Sequence, residues 1–202
     1  MRAFHLFRVI ASAISARFWT LLFRLKCGLN GVDIGRGIRC TGPILIRVHP
    51  KGRLVIGDNV VLNASFSSNP VGSSCRMVMW VGPGALLKVG SDSGISHSEI
   101  VCMNQISIGS RVKVGGGVKM YDSNFHSLDH KERTMRPDPG IKVGEINIDD
   151  DVFIGAHAML LKGAILEKGA VVGAYSLVCR RIPAFQVYGG NPCRPLLFSP
   201  GS

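Results

Sequence analysis

The chain of 202 residues is long enough for one domain with a substantial hydrophobic core and a short appendage. Its 25 glycines and its low aromatic content of 7% argue against a helical bundle and favour many short, tightly turned strands. The net charge of +11 raises the question of a polyanionic partner. No basic recognition helix or platform of aromatic and arginine residues is present, so we expect no nucleic-acid binding.

The first 26 residues predict a basic, apolar helix. They hold five basic residues and no acidic residue, and no Pro or Gly occurs before Gly28. Arg8 and Arg17 interrupt the apolar run, so we expect neither an export signal nor a membrane span. The arginines and aromatic residues suit the headgroup boundary of an anionic membrane, and packing on the neighbouring domain or another subunit is the alternative. We assign this helix to 1–30 and a second domain to 31–202.

A six-residue repeat predicts the architecture of the second domain. From Ile148 the sequence divides into the units IDDDVF, IGAHAM, LLKGAI, LEKGAV, VGAYSL and VCRRIP. Each unit begins with an aliphatic residue and has a small or aliphatic fifth residue, and a matching run starts at Cys102. A helix cannot keep every sixth residue on one face, whereas three such units close a triangular coil of about 18 residues. We therefore predict a parallel β-helix of stacked coils.

The repeat stops after Phe125 and resumes at about Ile146, which leaves a polar and charged loop over about 126–146. A loop of this length inside a compact repeat is usually functional or disordered. His126 lies at the junction, where the coil holds it and the loop leaves it accessible. Imidazole has a pKa of about 6.5 and can accept a proton from a weakly acidic hydroxyl group, so His126 is the candidate general base.

The repeat, the segment SNFHSLD and the closing stretch VVGAYSLVCRRIPAFQVYGGNPCRPL resemble the hexapeptide-repeat acyltransferases. The resemblance runs from about Leu54 to Leu196 and includes the galactoside and maltose acetyltransferases and the streptogramin acetyltransferases. It implies a left-handed winding, which the period alone does not give. The predicted fold is therefore all-β: a left-handed parallel β-helix of hexapeptide repeats with a short N-terminal helix and one long catalytic loop.

The resemblance implies catalytic roles for three residues. His126 would be the base, and Asn124 and Asp122 would orient the base or the acceptor. It also implies acetyl-CoA as the donor substrate and a homotrimer, whose packing would cover exposed aliphatic faces of the prism.

The resemblance also implies a cofactor-binding set. Backbone groups of Ala156 and Ala174 would face the pantetheine arm of CoA. Cys179 and Arg180 stand where relatives often carry Thr and Lys, and the Cys179 thiol puts one expected hydrogen bond in doubt. Arg194 matches the family's arginine near the adenine and the 3′-phosphate.

We expect no metal site. The six cysteines form no C-x-x-C pair, and we interpret them as reduced thiols of a cytoplasmic protein. A zinc-dependent carbonic anhydrase of the same fold would need three converging histidines, and its usual pair five residues apart in one coil is missing.

These features predict an acetyl-CoA-dependent O-acetyltransferase acting on a sugar hydroxyl of a bacterial surface polysaccharide or its lipid-linked precursor. The basic N-terminal helix would suit a lipid-linked acceptor at the inner face of the cytoplasmic membrane. Two alternatives stay open: N-acetylation of an amino sugar or other small amine, and a non-catalytic β-helix scaffold.

Overall fold

The structure is a computed structural model that describes residues 2–72 and 74–196, with side chains described from residue 11 onward. In this range one long helix, α1 (Arg2–Leu29), precedes a column of short strands. The column has three sides, and each side is a sheet in which strands from successive coils lie next to one another. A 3₁₀ turn at Glu132–Thr134 lies in the long loop.

The strands are numbered in chain order. Sheet A consists of β1 (Asp33–Ile34), β4 (Arg53–Ile56), β7 (Leu86–Val89), β10 (Gln105–Ile108), β13 (Ile146–Ile148), β16 (Ile165–Leu166) and β19 (Arg181–Ile182). Sheet B consists of β2 (Arg39–Cys40), β5 (Val61–Asn63), β8 (Gly94–Ser96), β11 (Lys113–Val114), β14 (Phe153–Ile154), β17 (Val171–Val172), β20 (Val187–Gly189) and β21 (Arg194–Pro195). Sheet C consists of β3 (Ile44–Val48), β6 (Met77–Val81), β9 (Glu99–Cys102), β12 (Lys119–Tyr121), β15 (Met159–Leu161) and β18 (Leu177–Val178). All described strand pairs are parallel except β20 with β21.

The six-residue repeat forms the core as predicted. The first residues of the six units from Ile148 onward are all buried: Ile148, Ile154, Leu160, Leu166, Val172 and Val178. The fifth residues are buried as well: Val152, Ala158, Ala164, Ala170, Ser176 and Ile182. The sequence prediction of an all-β fold of stacked parallel coils is confirmed, and the handedness of the winding stays a prediction.

The turns between the sheets form three corners, and two of them matter for function. The B/C corner contains the turns that join sheet B to sheet C, around 96–98, 115–118, 155–158 and 173–176. The C/A corner contains the turns that join sheet C to sheet A, and it includes the long loop 122–145. Each coil contributes a turn to both corners, and within a coil one strand of sheet C separates the two turns.

Helix α1 packs on the first coil, which begins at β1, before the region where the repeat was recognised. Phe23 and Cys27 are buried in the common core. The hydroxyl of Thr20 accepts a hydrogen bond from the Cys40 N–H at 3.0 Å. One face of the helix thus packs on the β-helix, and contact of the helix with a membrane stays a prediction. Among the residues searched, no helix is both long enough and apolar enough to cross a bilayer.

A second insertion interrupts the stacked coils at 64–76, and the sequence analysis missed it. It lies between β5 and β6 and reaches the B/C corner, where His97 is buried. The Nε2 atom of His97 lies 3.3 Å from the Ser65 carbonyl oxygen and 3.0 Å from that of Asn69. Because both partners are acceptors, we assign the proton to Nε2. This imidazole therefore fixes the insertion to the coil.

Candidate active site

His126 lies at the C/A corner with its side chain 71% exposed. Its Nδ1 atom is 3.6 Å from the Oδ2 atom of Asp138, which is 9% exposed. This distance is too long for a hydrogen bond, but it gives an ion pair when the imidazole is protonated. An accessible imidazole beside a fixed carboxylate can accept a proton and be stabilised while it is charged.

Backbone N–H groups hold Asp138 in place. Its Oδ2 accepts the N–H of Ser127 at 2.9 Å, and its Oδ1 accepts the N–H of Gly140 at 3.1 Å. The hydrogen bond from the Ser127 N–H holds the pKa of Asp138 below its usual value despite desolvation, with smaller contributions from the Gly140 N–H and from the nearby His126. The carboxylate is therefore charged at neutral pH.

Ser127 is the centre of the loop and is buried. Its hydroxyl donates to Glu132 at 2.7 Å and accepts the N–H of Asp129 at 3.0 Å. Its carbonyl oxygen accepts a hydrogen bond from the Arg133 guanidinium at 2.9 Å. A methyl group at Gly140 would come within 2.2 Å of the Ser127 hydroxyl oxygen, so a larger residue there would displace the Ser127 and Glu132 side chains. These contacts give the loop next to His126 a defined shape.

The base of the loop is a short two-stranded stem. Ser123 forms an antiparallel bridge with Val143, and the Asn124 N–H donates to the Lys142 carbonyl oxygen at 3.0 Å. Asn124 thus positions the loop through its backbone. Among the described residues its side chain makes no hydrogen bond, so its predicted role in orienting the base or the acceptor stays a prediction.

That Asp122 orients the base or the acceptor stays a prediction, and the described contacts of its carboxylate lie away from His126. Asp122 is fully buried, and its two carboxylate oxygens accept the N–H groups of Met103 at 2.7 Å and Asn104 at 2.8 Å. The carboxylate therefore holds the turn of the preceding coil. The residue beside His126 is Asp138, which lies twelve positions further along the chain.

An apolar groove of about 660 Å³ on the outer face of sheet C leads to the loop. Trp80, Tyr121 and Phe125 contribute its aromatic lining. Phe125 immediately precedes His126, and its ring meets that of Tyr121 edge to face at 5.7 Å. An apolar groove with a few polar groups beside an acid–base residue is a suitable place for an acceptor.

Glu99 supplies the charge in this groove. It accepts hydrogen bonds from Lys119 at 2.6 Å and from the Tyr121 hydroxyl at 2.7 Å. Burial alone would raise the pKa of Glu99, but the two hydrogen bonds outweigh it and lower this pKa. Burial and the neighbouring carboxylate raise the pKa of Tyr121, so its hydroxyl stays a donor.

The residues predicted to bind CoA divide between the two corners. Ala156 and Ala174 lie in successive turns of the B/C corner, whereas Cys179 and Arg180 lie at the C/A corner between β18 and β19. Arg194 is exposed in β21. Within one chain, the predicted donor-binding residues and His126 are therefore not assembled into one continuous site.

The backbone at the B/C corner is suited to a thin ligand. Among the described residues, the N–H groups of Ala156 and Ala174 donate no hydrogen bond, whereas the Ala156 carbonyl accepts the Tyr175 N–H at 2.9 Å. His157 and Tyr175 follow the two alanines in a left-handed backbone conformation and stack with ring centroids 4.7 Å apart. The two free N–H groups could bind carbonyl oxygens of a pantetheine arm.

Several known proteins are similar in sequence to parts of this chain. No protein-family model matches the chain. A chloramphenicol acetyltransferase from Klebsiella aerogenes is 29% identical over 108 residues, which are 46% of this chain and 51% of that protein. The Escherichia coli dTDP-4-amino-4,6-dideoxy-D-glucose acyltransferase is 29% identical over 103 residues, 50% of this chain and 54% of that protein. The mitochondrial gamma carbonic anhydrase 2 of Arabidopsis thaliana is 29% identical over 184 residues, 80% of this chain and 64% of that protein.

Solved structures give the same fold. A hexapeptide-repeat acetyltransferase from Vibrio cholerae, solved with acetyl-CoA, is 29% identical with a TM-score of 0.50 over 55% of this chain and 59% of that chain. An N-acyltransferase from Bacillus cereus, solved with dTDP and 3-hydroxybutyryl-CoA, has a TM-score of 0.64 over 86% of both chains at 17% identity, which shows the fold alone. Parts of the chain are thus similar in sequence and fold to a hexapeptide-repeat acetyltransferase. Its matched segments span 20% to 64% of the length of the curated relatives.

The similarity to a carbonic anhydrase raises the question of a metal site. Among the described residues, no group of three or more His, Cys, Asp or Glu side chains is arranged to hold a metal ion. His126 has a carboxylate neighbour, and His157 faces an aromatic ring.

The sequence analysis missed two residues that surround His126 in the structure, Asp138 and Ser127. Asp138 and Ser127 are not parts of the repeat, and neither has a distinctive spacing from His126. The available signal was the turn sequence Pro137-Asp138-Pro139-Gly140, which predicts a rigid bend that could return a carboxylate to the start of the loop.

Proposed function

We propose that the protein transfers the acetyl group of acetyl-CoA to a hydroxyl group of a sugar, in a bacterial surface polysaccharide or its lipid-linked precursor. The observation that carries the proposal is the exposed imidazole of His126 beside the fixed carboxylate of Asp138, at the end of an apolar groove. The acetyltransferase relatives support the donor, and the relative named for a dTDP-sugar supports a sugar acceptor.

The chemistry follows from this pair. The acceptor hydroxyl gives its proton to the free nitrogen of His126, Nε2, while its oxygen attacks the thioester carbonyl carbon. The tetrahedral intermediate then expels the CoA thiolate, which takes the proton back from the imidazolium. Asp138, 3.6 Å from Nδ1, stabilises the imidazolium in between. Backbone N–H groups are the expected donors to the oxyanion.

We propose that the complete site forms between subunits of a homotrimer. Within one chain, the B/C and C/A corners are about 15 Å apart, which is the length of a strand with its flanking residues. A contact that joins two different corners of neighbouring subunits is heterologous, and repetition of such a contact closes a ring. It would bring Ala156 and Ala174 of one subunit to His126 and Arg180 of the next.

We also propose that the coil winds left-handed and that the protein is cytoplasmic. All six cysteines are unpaired, which suits a reducing compartment. The left-handed winding is what the resemblance of the hexapeptide repeat implies.

The direct test is to incubate the purified protein with acetyl-CoA and a panel of sugars that carry either hydroxyl or amino groups. The proposal expects CoA release that depends on the acceptor, and an O-acetyl product identified by NMR. Exclusive N-acetylation would support the amine alternative. No turnover with any acceptor, together with no effect of CoA on thermal unfolding, would support the scaffold alternative.

A further inference from the structure

We propose that the outer face of α1 docks on an anionic lipid bilayer. This face is a stripe of exposed apolar side chains, each more than half exposed, which we call the outer stripe: Ile14, Phe18, Leu21, Leu25 and Leu29. Exposed apolar side chains that are contiguous along one helix face mark a contact site.

The outer stripe does not pack on the core. Each residue of a helix turns by about 100°, which places the stripe on the side opposite the buried Phe23 and Cys27. The helix therefore has two apolar faces, and the β-helix covers only one of them. Residues 11–15 are exposed on all sides, so the helix also extends beyond the first coil. The outer face is accessible along its described length.

Positive charge borders the outer stripe. Arg17, Arg24 and Arg39 line a shallow pocket of about 420 Å³ together with Leu21. Among the described residues, none of these three guanidinium groups forms a salt bridge. No acidic residue precedes Asp33 in the sequence.

A ligand that satisfies both features has an apolar body and an anionic head. A phospholipid in a bilayer meets this requirement: its phosphate pairs with the arginines while the stripe enters the acyl boundary. A second copy of the same helix fits less well, because pairing two stripes brings the unpaired arginines of both copies together.

The experiment is flotation of the full chain with vesicles of phosphatidylcholine alone and of phosphatidylcholine mixed with phosphatidylglycerol. The charge variant is Arg17→Gln, Arg24→Gln and Arg39→Gln combined, and its matched control is Lys51→Gln, Arg76→Gln and Lys88→Gln. The stripe variant is Phe18→Ser, Leu21→Ser and Leu25→Ser. Its control replaces three exposed apolar residues elsewhere: Phe66→Ser, Val71→Ser and Phe185→Ser.

We expect the wild type to float only with the anionic vesicles and to dissociate at high salt. The charge variant should bind on the order of 100-fold more weakly, since each lost cation near an anionic surface weakens binding about fivefold. The stripe variant should not float, and both controls should float like the wild type.

Three results would overturn the proposal. The first is equal binding by the charge variant and its control. The second is stabilisation of the protein by inorganic phosphate in the absence of any vesicle binding, which would identify a site for a free anion. The third is a changed oligomeric state of the stripe variant, which would identify an interface between copies. Because flotation requires no acetyl transfer, its failure leaves the proposed activity untouched.

Discussion

The B/C and C/A corners of the same prism are built in opposite ways. From residue 115 onward the B/C corner consists of turns rich in glycine and alanine, in which the backbone of one coil lies directly on that of the next. At Gly155 a methyl group would come within 2.5 Å of the Ala174 backbone nitrogen. The C/A corner is interrupted by the loop 122–145, whose shape depends on side chains such as Ser127 and Asp138.

This difference separates two tasks. A regular corner offers backbone N–H groups along a line, which suits a long, thin ligand but supplies no group that can move a proton. The loop that interrupts the C/A corner supplies an imidazole and a carboxylate, but it breaks the regular stacking of turns there. Substitutions at the B/C corner should therefore mainly change stability or donor binding, and substitutions in the loop should mainly change turnover.

The largest expected effect is that of His126→Ala. Loss of a general base lowers turnover by about 10²- to 10⁴-fold, and the fold should be retained because the side chain is mostly exposed. CoA release is measured with a thiol reagent, together with thermal unfolding. His130→Ala, an exposed histidine of the same loop, is the control and should keep its activity. Equal turnover of the two variants would remove His126 from the mechanism.

The next prediction tests whether the two corners meet between subunits. His126→Ala and Ala174→Trp should each be nearly inactive, the second because a bulky side chain fills the exposed B/C turn. Trimers refolded from an equal mixture should regain about a quarter of the wild-type activity, since a site with both intact corners can form only across an interface.

Gln186→Trp is the control for a bulky residue on an exposed turn and should stay active without mixing. Size measurement in solution should give three chains of 21.7 kDa. Mixtures that stay as inactive as their components, in particles of trimer size, would show that each subunit holds its own complete site.

The difference between regular and interrupted parts of the chain also explains which features of the structure the sequence predicts. The repeat from Ile148 predicted the buried positions because each unit makes the same local contacts with the units above and below it. The first coil from β1 was not recognised, although Ile34, Cys40 and Ile46 stand six residues apart, because its units are few and joined to irregular turns.

The loop could not be predicted in this way. The break in the repeat indicated where His126 would lie, but Asp138 approaches it through hydrogen bonds to Ser127 and Gly140 that have no periodic signal. The resemblance to the hexapeptide-repeat acyltransferases implied a role in the site for Asp122. In the structure its carboxylate accepts two backbone N–H groups of the preceding coil, which need an acceptor because they are partly buried.

A pair of glycine substitutions tests whether the B/C corner is held by backbone contact. Gly155→Ala should lower the free energy of unfolding by about 2 kcal/mol, and the melting temperature by roughly 5 °C, because the new methyl group meets backbone that cannot move away. Gly173→Ala is the matched control in the next coil, where the nearest atoms lie at 3.5 Å and leave room. Equal melting temperatures of the two variants would show that the coils can separate locally.

The smallest expected effect concerns the pH dependence of the loop. The pKa of Asp138 is lower in the folded loop than in the unfolded chain, mainly because of the Ser127 N–H. Its contribution to loop stability is therefore present above the unfolded pKa of about 3.9 and is lost as the pH falls through the lower folded value. In the Asp138→Asn variant, the amide hydrogens of Ser127 and Gly140 should exchange with solvent faster than in the wild type at pH 7.

After correction for intrinsic exchange rates, this difference should shrink below about pH 4, because protonated Asp138 then resembles the asparagine. Other carboxylates of the loop are common to both proteins and cancel in the comparison. Glu145→Gln, at the exposed end of the loop, is the control and should leave both amides unchanged. A difference that persists undiminished at low pH would mean that the shape of the Asp138 side chain, and not its charge, holds the loop beside His126.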